Sequence, residues 1–203
     1  MKIEPAKCEF LKTELNYLGH VVTRKGVKPD PEKVKTIKNF PIPKNTTDVK
    51  SFLGLAGYYR KFILQFSKIV EPLTELLKKS QKLRWDVEQV ESFKFLQSAL
   101  MRESVLLYPD FTKPFVLTTD ASGFAVGTIL SQGTIGQDKP ISFVSRTLNQ
   151  VEQNYSTIEK ELTAIVWACR YFRPYLLGKH FTIVTDHKPL TWMFSVKTQV
   201  RVC

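Results

Sequence analysis

Three acidic side chains occupy positions from which they could bind divalent cations together. Asp120 closes the strand-like run 115–119, Asp186 closes a second run at 181–185, and Glu161 lies on an amphipathic helical stretch between them. An Asp at the end of a half-buried strand needs a partner for its charge, and Mg²⁺ prefers oxygen ligands such as carboxylates. Two such ions about 4 Å apart can activate water and stabilise the leaving oxygen of a phosphodiester. The spacing therefore predicts a two-metal site for phosphodiester hydrolysis.

The residue pattern alone leaves alternatives to this site open. Glu159 competes with Glu161 for the helical position, although the capping sequence at 156–159 explains Glu159 by itself. Glu161 has isoleucines three positions before and four positions after it, so it lies on the margin of the predicted buried stripe and is favoured by geometry. Either aspartate could also simply begin a turn, a role that Asp often fills.

The net charge favours a polyanionic partner. The 203 residues carry 30 Lys and Arg against 19 Asp and Glu, a net charge of +11, which favours a polyanion, and nucleic acid in particular, over a neutral ligand or an acidic substrate. Residues 1–80 hold 16 of the basic and 8 of the acidic side chains. The basic surface is therefore expected in the N-terminal part, whereas the carboxylates lie in the C-terminal part.

Cysteine usage and hydropathy predict an intracellular chain. Cys8, Cys169 and Cys203 are odd in number and widely spaced, so neither a disulfide framework nor a zinc site is indicated, and a reducing compartment fits. The first residues lack the apolar core of a secretion signal, and no apolar run approaches the roughly 18 residues of a membrane span. We therefore expect no membrane partner.

The first hundred residues are predicted to form a hairpin followed by helices. Residues 15–22 alternate like a strand, and a turn at Lys25 and Gly26 leads to a second short strand at 27–28. Asp30 and Pro31 are typical of a helix start. The predicted helices cover 33–39, 48–66, 72–79 and 86–101.

One face of the second predicted helix carries an unusual set of residues. Lys50, Gly54, Gly57 and Lys61 cluster on it, with Tyr58 beside them. Glycines inside a helix cost about 1 kcal/mol each relative to Ala, so something must compensate for them. Close approach of a sugar-phosphate backbone and tight packing against another helix both explain the pattern, and the residues do not decide between them.

A new unit is predicted to begin after 108–110. Strands at 113–119, 124–131 and 140–145 suggest a meander, and the capping box of Ser156 and Glu159 begins a helix. The strand 181–185 is expected to lie parallel to the first strand, and 189–194 begins another helix. The predicted buried stripe of the capped helix consists of Ile158, Leu162, Ile165, Val166, Cys169 and Phe172.

Taken as a set, these residues resemble the Pol polyprotein of long-terminal-repeat retrotransposons of the gypsy class, over about residues 8–194. The motifs that carry the resemblance are YLGH at 17–20, Gly26, PEK at 31–33, SFLGL at 51–55, YYRKFI at 58–63, PL at 72–73, TDAS at 119–122, LSQ at 130–132, SR at 145–146, NY at 154–155, EKEL at 159–162, FRPYL at 172–176, Gly178 and TDHKPL at 185–190.

The resemblance implies a fold and three regions. Residues 1–30 would end the reverse transcriptase palm with a primer-grip-like hairpin, 31–108 would form thumb and connection helices, and 109–203 would form an RNase H-like α/β domain. The family is expected to place Tyr17, Leu18, Gly19 and His20 at the primer terminus. The helix face defined above, with Gly54 and Tyr58 at contact positions, would lie along the minor groove of the duplex.

The resemblance also implies an activity, hydrolysis of the RNA strand in an RNA/DNA hybrid. The family's metal ligands match Asp120, Glu161 and Asp186, which decides for Glu161 over Glu159. Two Mg²⁺ ions are the expected cofactor, with Mn²⁺ as an alternative ion and no small-molecule cofactor.

The expected partners are an RNA/DNA hybrid, the template–primer duplex and the rest of the polyprotein, in the cytoplasm within a virus-like particle or in the nucleus. The family's polymerase aspartates lie upstream of Met1, and its fourth carboxylate lies beyond the C-terminal end of this sequence. The domain is therefore expected to be truncated, and an inactive relic or a nucleic-acid-binding fragment is the alternative.

Overall fold

The computed structural model describes residues 12–78, 84–101 and 105–190. Within these ranges a three-stranded sheet and its helices come first, and a four-stranded mixed sheet with further helices follows. The mixed α/β class that the sequence predicted is confirmed. None of the helices in the described ranges is both long enough and apolar enough to cross a membrane.

The first sheet is an antiparallel meander of three short strands. They are β1, Glu14–Tyr17; β2, His20–Thr23; and β3, Gly26–Pro29. The predicted single strand over 15–22 is wrong, because Leu18 and Gly19 adopt φ values of 46° and 67° and turn the chain. Consecutive positive φ values are typical of tight hairpin turns.

Contacts from a distant helix hold this turn. The hydroxyl of Tyr58 donates a hydrogen bond to the carbonyl of Leu18, and the hydroxyl of Tyr59 donates to the carbonyl of Gly19 over 2.7 Å. Positive φ at a non-glycine residue costs free energy, so the two tyrosine contacts favour a conformation that the local sequence does not specify.

Five helices and a 3₁₀ turn follow among the described residues. They are α1, Pro31–Lys38; α2, Thr46–Tyr58; the 3₁₀ turn Arg60–Phe62; α3, Phe66–Ile69; α4, Glu71–Glu75; and α5, Val87–Ala99. Polar caps begin three of them: Asp30 accepts from the backbone of α1, Asn45 from that of α2, and Asp86 forms a capping box on α5. The predicted helices at 33–39 and 86–101 are confirmed within one to two residues.

The predicted helix over 48–66 is wrong in its second half. α2 ends at Tyr58, Ile63 is extended with φ −117° and Gln65 is left-handed with φ 53°. The break turns Phe62 and Ile63 inward, where both are buried. The helix predicted at 72–79 is instead the short α4, and its end at 79 lies outside the described residues.

One hydrophobic core unites these helices. Its fully buried members include Phe52, Tyr59, Leu73 and Leu96, and Phe52 packs against the ring of Phe93 with centroids 4.5 Å apart. Full burial of side chains of this size stabilises a fold by roughly 1.5–3 kcal/mol each.

The second sheet has the strand order β6-β5-β4-β7. Its strands are β4, Phe115–Ala121; β5, Ala125–Gln132; β6, Lys139–Thr147; and β7, Phe181–Val184. β4, β5 and β6 form an antiparallel meander, and β7 returns parallel to β4. Three helices lie between β6 and β7: α6, Gln150–Gln153; α7, Thr157–Tyr171; and α8, Arg173–Leu176. The predicted meander and the parallel strand are confirmed. Of the helix predicted at 189–194, residues 191–194 lie outside the described residues.

α7 packs on the sheet through part of the predicted stripe, since Ile165 and Phe172 are buried and Cys169 packs against the core. Ile158 and Val166, which the periodicity placed inside, are 46% and 42% exposed. The buried residues of the helix are Glu161, Ala164, Ile165 and Ala168. Small alanines let the helix backbone approach the strands closely, so the buried face extends from Ile165 toward Ala164, Ala168 and Glu161 rather than toward Ile158 and Val166.

The two sheets are joined by direct contacts. Val27 and Leu106 form an isolated antiparallel bridge, with backbone hydrogen bonds of 2.9 Å in both directions. Leu106 belongs to the helical core, whereas Leu107 packs against the core between α7 and the second sheet. The predicted division at 108–110 follows directly after this point and stays a prediction.

Replacing Gly26 by Ala is expected to destabilise the fold strongly. Gly26 has φ +152°, and a Cβ atom there would lie 2.1 Å from the carbonyl oxygen of Leu106. We expect a loss of about 3 kcal/mol in the free energy of unfolding, measured by urea denaturation. The control is Gly136→Ala, where φ is +86° but no atom lies within 4 Å, so only about 1 kcal/mol of backbone strain is expected. Equal losses in the two variants would contradict the predicted clash.

Candidate metal site

The strand register places two aspartates at the same edge of the second sheet. Thr118 of β4 pairs with Val184 of β7 in the parallel ladder. Asp120 and Asp186 each follow two residues later, so both reach the carboxyl edge, where open α/β sheets bind ligands. Asp120 is half-buried within β4, and Asp186 is exposed just beyond β7.

Glu161 approaches this edge from α7. Its side chain is only 4% exposed, and Oε1 accepts a hydrogen bond of 3.2 Å from the backbone N–H of Ala121. The other oxygen, Oε2, is buried and has no hydrogen-bond partner among the described residues. A buried carboxylate oxygen without a donor is costly, and a cation would supply the missing partner.

Glu159 has the structural role that its capping sequence predicted. Its carboxylate is exposed and accepts hydrogen bonds of 2.8 Å from both the backbone N–H and the hydroxyl of Ser156. These bonds lower its pKa. Because Glu159 binds the start of α7, it does not take part in the acidic cluster.

The three carboxylates converge closely enough to share a cation. One oxygen from each of Asp120, Glu161 and Asp186 lies within 4.8 Å of the other two. Two oxygens on opposite sides of one Mg²⁺ ion are about 4.2 Å apart, so the cluster fits a divalent cation with small side-chain adjustments.

Burial and mutual repulsion raise the pKa values of two carboxylates of the cluster, Glu161 and Asp120. Burial raises the pKa of Glu161 to about 7; the Ala121 N–H opposes this shift, and the charges of Asp120 and Asp186 add to it. Burial and the charge of Asp186 also raise the pKa of Asp120, against the lowering effects of Lys68 and the N–H of Ala121. A bound cation would stabilise the ionised form of all three carboxylates.

Residues from the N-terminal part border the cluster, and sequence reasoning did not identify them. A groove of about 290 Å³ beside Asp120 and Asp186 is lined in part by Leu64 and Gln65. Gln65 donates a hydrogen bond from its side-chain amide to the carboxylate of Asp120. No local pattern signals this contact, because its two partners are 55 positions apart.

The nucleic-acid-binding residues predicted from the sequence form a separate surface. Tyr17, Leu18 and Tyr58 are exposed, and the ring of His20 packs against those of Tyr58 and Tyr59. The hairpin turn and the end of α2 are therefore in direct contact. Within residues 12–78, 84–101 and 105–190, no hydrogen bond or ion pair joins these predicted duplex-binding residues to Asp120, Glu161 or Asp186.

The glycine face of α2 is open. Lys50 and Gly54 are exposed, and a Cβ atom added to Gly54 would have no neighbour within 4 Å. A Cβ atom on Gly57 would meet only the ring of Phe66 at 3.9 Å. Lys61, which the sequence placed on this face, lies beyond the end of α2 in the 3₁₀ turn. It is half-buried over the ring of Phe62, and burial lowers its pKa. Tight helix packing therefore does not explain Gly54.

Comparison with known proteins identifies the second part of the chain. Residues 110–202 match the model of the RNase H-like domain found in reverse transcriptase. This segment is an RNase H-like domain of the reverse transcriptase type. The RNase H-like fold expected from the resemblance is thereby confirmed.

The full chain is similar to transposon Pol polyproteins. It is 52% identical to the retrovirus-related Pol polyprotein from transposon 297 of Drosophila melanogaster, over 97% of this chain and 18% of that protein. It is 44% identical to the Pol polyprotein from transposon gypsy of the same species, over 95% of this chain and 19% of that one. The predicted gypsy-class resemblance is confirmed, and the chain spans about a fifth of the length of these relatives.

Solved structures share the fold of this chain. The structure of the foamy viral protease–reverse transcriptase in complex with an RNA/DNA hybrid superposes with a TM-score of 0.75 at 25% identity, covering 90% of this chain and 25% of that one. The same enzyme in complex with double-stranded DNA gives a TM-score of 0.74 at 24% identity, covering 95% and 40%.

Replacing Glu161 by Gln is expected to change the pH dependence of stability when divalent cations are absent. The pKa of Glu161 is raised from 4.5 to about 7 in the folded RNase H-like domain, so the folded state keeps a proton that the unfolded chain releases. The stabilisation by this proton is complete below pH 4.5 and is lost as the pH rises through about 7. Wild-type protein should therefore lose stability relative to Glu161→Gln between about pH 5 and 8, measured by urea unfolding in EDTA.

Glu159→Gln is the matched control for this measurement. The pKa of Glu159 is lowered by Ser156, so its carboxylate stays ionised throughout this pH range and its difference from wild type should stay constant. A constant difference for Glu161→Gln as well would show that Glu161 is not protonated near neutral pH.

Proposed function

We propose that this chain hydrolyses the RNA strand of RNA/DNA hybrids with two Mg²⁺ ions, as part of a polyprotein that synthesises DNA from RNA. The observation that carries the proposal is the convergence of Asp120, Glu161 and Asp186 within 4.8 Å. The membership of residues 110–202 in the RNase H-like family supports it. A similar protein has been solved in complex with an RNA/DNA hybrid, which supports the substrate class.

The three carboxylates would act as the metal ligands. A pair of divalent ions, Mg²⁺ or alternatively Mn²⁺, supplies activation of water and stabilisation of the leaving oxygen when bound. Glu161 offers its unpartnered Oε2 and is held by Ala121 through Oε1, so its position depends on the packing of α7 on β4. Asp186 is exposed and so lies on the side from which a phosphate of the hybrid can approach. The 2′-hydroxyl would distinguish RNA from DNA.

The hairpin turn and the open face of α2 would bind the duplex. The proposed contacts are Tyr17, Leu18, Gly19 and His20 of the turn and Lys50, Gly54, Gly57, Tyr58 and Lys61 of the helix region. The open space over Gly54 and the exposure of Tyr58 support this role, because a backbone can approach the bare helix surface there. The direct contact between turn and helix would keep the two surfaces in fixed relation.

The proposed partners are the template–primer duplex and the remainder of the Pol polyprotein. Residues 31–108 would correspond to the thumb and connection, and 1–30 to the end of the palm. Localisation in a cytoplasmic virus-like particle or in the nucleus remains a proposal that follows from this assignment.

Asp120→Asn is expected to abolish cleavage. In an assay with a labelled RNA/DNA hybrid, wild-type protein should cut the RNA strand only when Mg²⁺ is present, and the variant should be slower by at least about 100-fold because the ions lose a charged ligand. Glu159→Gln, which removes a neighbouring carboxylate outside the cluster, is the control and should cleave at the wild-type rate. Hybrid binding without any metal-dependent cleavage would contradict the proposed activity and would favour the alternative that the chain is a nucleic-acid-binding fragment.

Substitutions at Gly54 of α2 and at Lys61 of the following 3₁₀ turn are expected to weaken duplex binding. Gly54→Val fills the open space and Lys61→Glu reverses a charge, so each should raise the dissociation constant for a template–primer duplex roughly tenfold. Lys61→Glu should also weaken the salt dependence: the slope of the logarithm of the binding constant against the logarithm of the salt concentration should become less steep by about one. Binding is measured by fluorescence anisotropy in EDTA, which prevents cleavage.

Lys139→Glu is the charge-matched control for this binding measurement. Lys139 is exposed at the start of β6 and lies outside the proposed duplex surface, so its variant should bind like wild type. Unchanged binding by both Gly54→Val and Lys61→Glu would refute a role of these two residues in duplex binding.

A further inference from the structure

The segment 64–68 lies over a row of paired residues in the second sheet. Asp120 of β4 pairs with Gly127 of β5, which in turn pairs with Ser145 of β6. Side chains directly opposite one another in a ladder point to the same face. Asp120 and Ser145 therefore flank Gly127 on the face that the segment covers.

Several hydrogen bonds attach this segment to the row. The side-chain amide of Gln65 donates to Oδ2 of Asp120. Ser67 donates its backbone N–H to Oγ of Ser145 over 2.9 Å, and the two serine hydroxyls are 3.0 Å apart. The guanidinium of Arg60 donates to the carbonyl of Ser145 over 3.1 Å. The hydrogen bond from Gln65 to Asp120 is therefore one of several that attach this part of the chain to the second sheet.

Gly127 gives Gln65 the room to reach the carboxylate. A Cβ atom at Gly127 would lie 3.4 Å from Cγ of Gln65 and 3.9 Å from its Cα atom. A Cβ atom alone would make ordinary van der Waals contact with Gln65, and only a longer side chain in the middle of the row would displace it. The absence of a side chain at this place in the strand fits a close approach of the segment.

The backbone of Gln65 is held in an uncommon conformation that directs its side chain. Its φ of 53° and ψ of 34° are left-handed, which few residues other than Gly, Asn and Asp adopt. Such a conformation costs about 1 kcal/mol or more and persists only where surrounding contacts favour it. Here it starts α3, because the Gln65 carbonyl accepts from the N–H groups of Lys68 and Ile69.

We propose that Gln65 is a positioning residue of the metal site, whose amide fixes the carboxylate of Asp120 in the orientation that binds a cation. The site would then extend beyond residues 110–202 into the segment that precedes them. The inference rests on the proposed metal-dependent function and adds a specific residue to it. Lys68, three residues later, contributes a positive charge near the same carboxylate.

The chemistry of a carboxylate allows both partners at once. A carboxylate group has about four acceptor positions, and the amide of Gln65 uses only one of them. Carboxylates that bind metals are generally hydrogen-bonded by neighbouring groups, and the loss of such a neighbour weakens metal affinity by about 10- to 100-fold. Gln65 thus supports cation binding without being a ligand itself.

Gln65→Asn in the full chain tests this role. Asn tolerates the left-handed conformation but is one methylene shorter, so its amide is withdrawn from Asp120. We expect Mn²⁺, titrated by isothermal calorimetry, to bind about tenfold more weakly than to wild type. Hybrid cleavage should need correspondingly more Mn²⁺ to reach half of its maximal rate, with a similar rate at saturation. Gln65→Gly, which removes the amide and relieves the backbone, should behave in the same way.

Gln137→Asn is the matched control, since Gln137 is exposed in the turn between β5 and β6, at the opposite end of these strands from Asp120. Its Mn²⁺ affinity should equal that of wild type. Equal or tighter Mn²⁺ binding by both Gln65 variants would overturn the inference and leave the proposed function intact. Failure of wild-type protein to bind Mn²⁺ at all would overturn both.

Discussion

Repulsion and desolvation of three converging carboxylates are the constraint on which the site depends. Glu161 is buried with one oxygen unpartnered, and Asp120 and Asp186 bring further negative charge within 4.8 Å of it. Without a counter-charge this arrangement destabilises the native state, because a buried charge then has no partner. The rest of the domain must therefore hold these groups in place against an unfavourable local interaction, which a bound divalent cation would remove.

The scaffold does this with two rigid elements that meet at one sheet edge. Parallel pairing of β4 with β7 sets the aspartates side by side, because their positions follow a shared register. α7 is fixed by the burial of Ala164, Ala168 and Phe172 against the sheet, which carries Glu161 inward along with them. The backbone N–H of Ala121 then orients the Glu161 carboxylate. Precise placement thus comes from packing of apolar neighbours rather than from contacts among the acids.

The N-terminal part of the chain is connected to the second sheet by direct contacts. Its helical core reaches the second sheet through the segment 64–68 and through Phe143, which packs against that core. Its hairpin turn is fixed to the end of α2 by the hydroxyls of Tyr58 and Tyr59. The hairpin turn, the end of α2 and the acidic cluster are therefore held on one connected framework.

The sequence by itself determined the features that local chemistry specifies. Asp30 with Pro31, and Ser156 with Glu159, predicted helix starts because capping side chains bind backbone groups only two or three residues away. The β-branched runs that end near Asp120 and Asp186 predicted strands and hence the acidic cluster.

The tertiary structure decided what distant partners impose. The turn at Leu18 and Gly19 and the Gln65 contact to Asp120 depend on groups 40 and 55 positions away, and the break after Tyr58 buries Phe62 and Ile63 in a core drawn from distant helices. The buried face of α7 combines Ile165 with alanines that allow close approach, whereas Ile158 and Val166 stay exposed. Local propensities differ by about 1 kcal/mol or less per residue, so contacts made only after the chain has folded outweigh them.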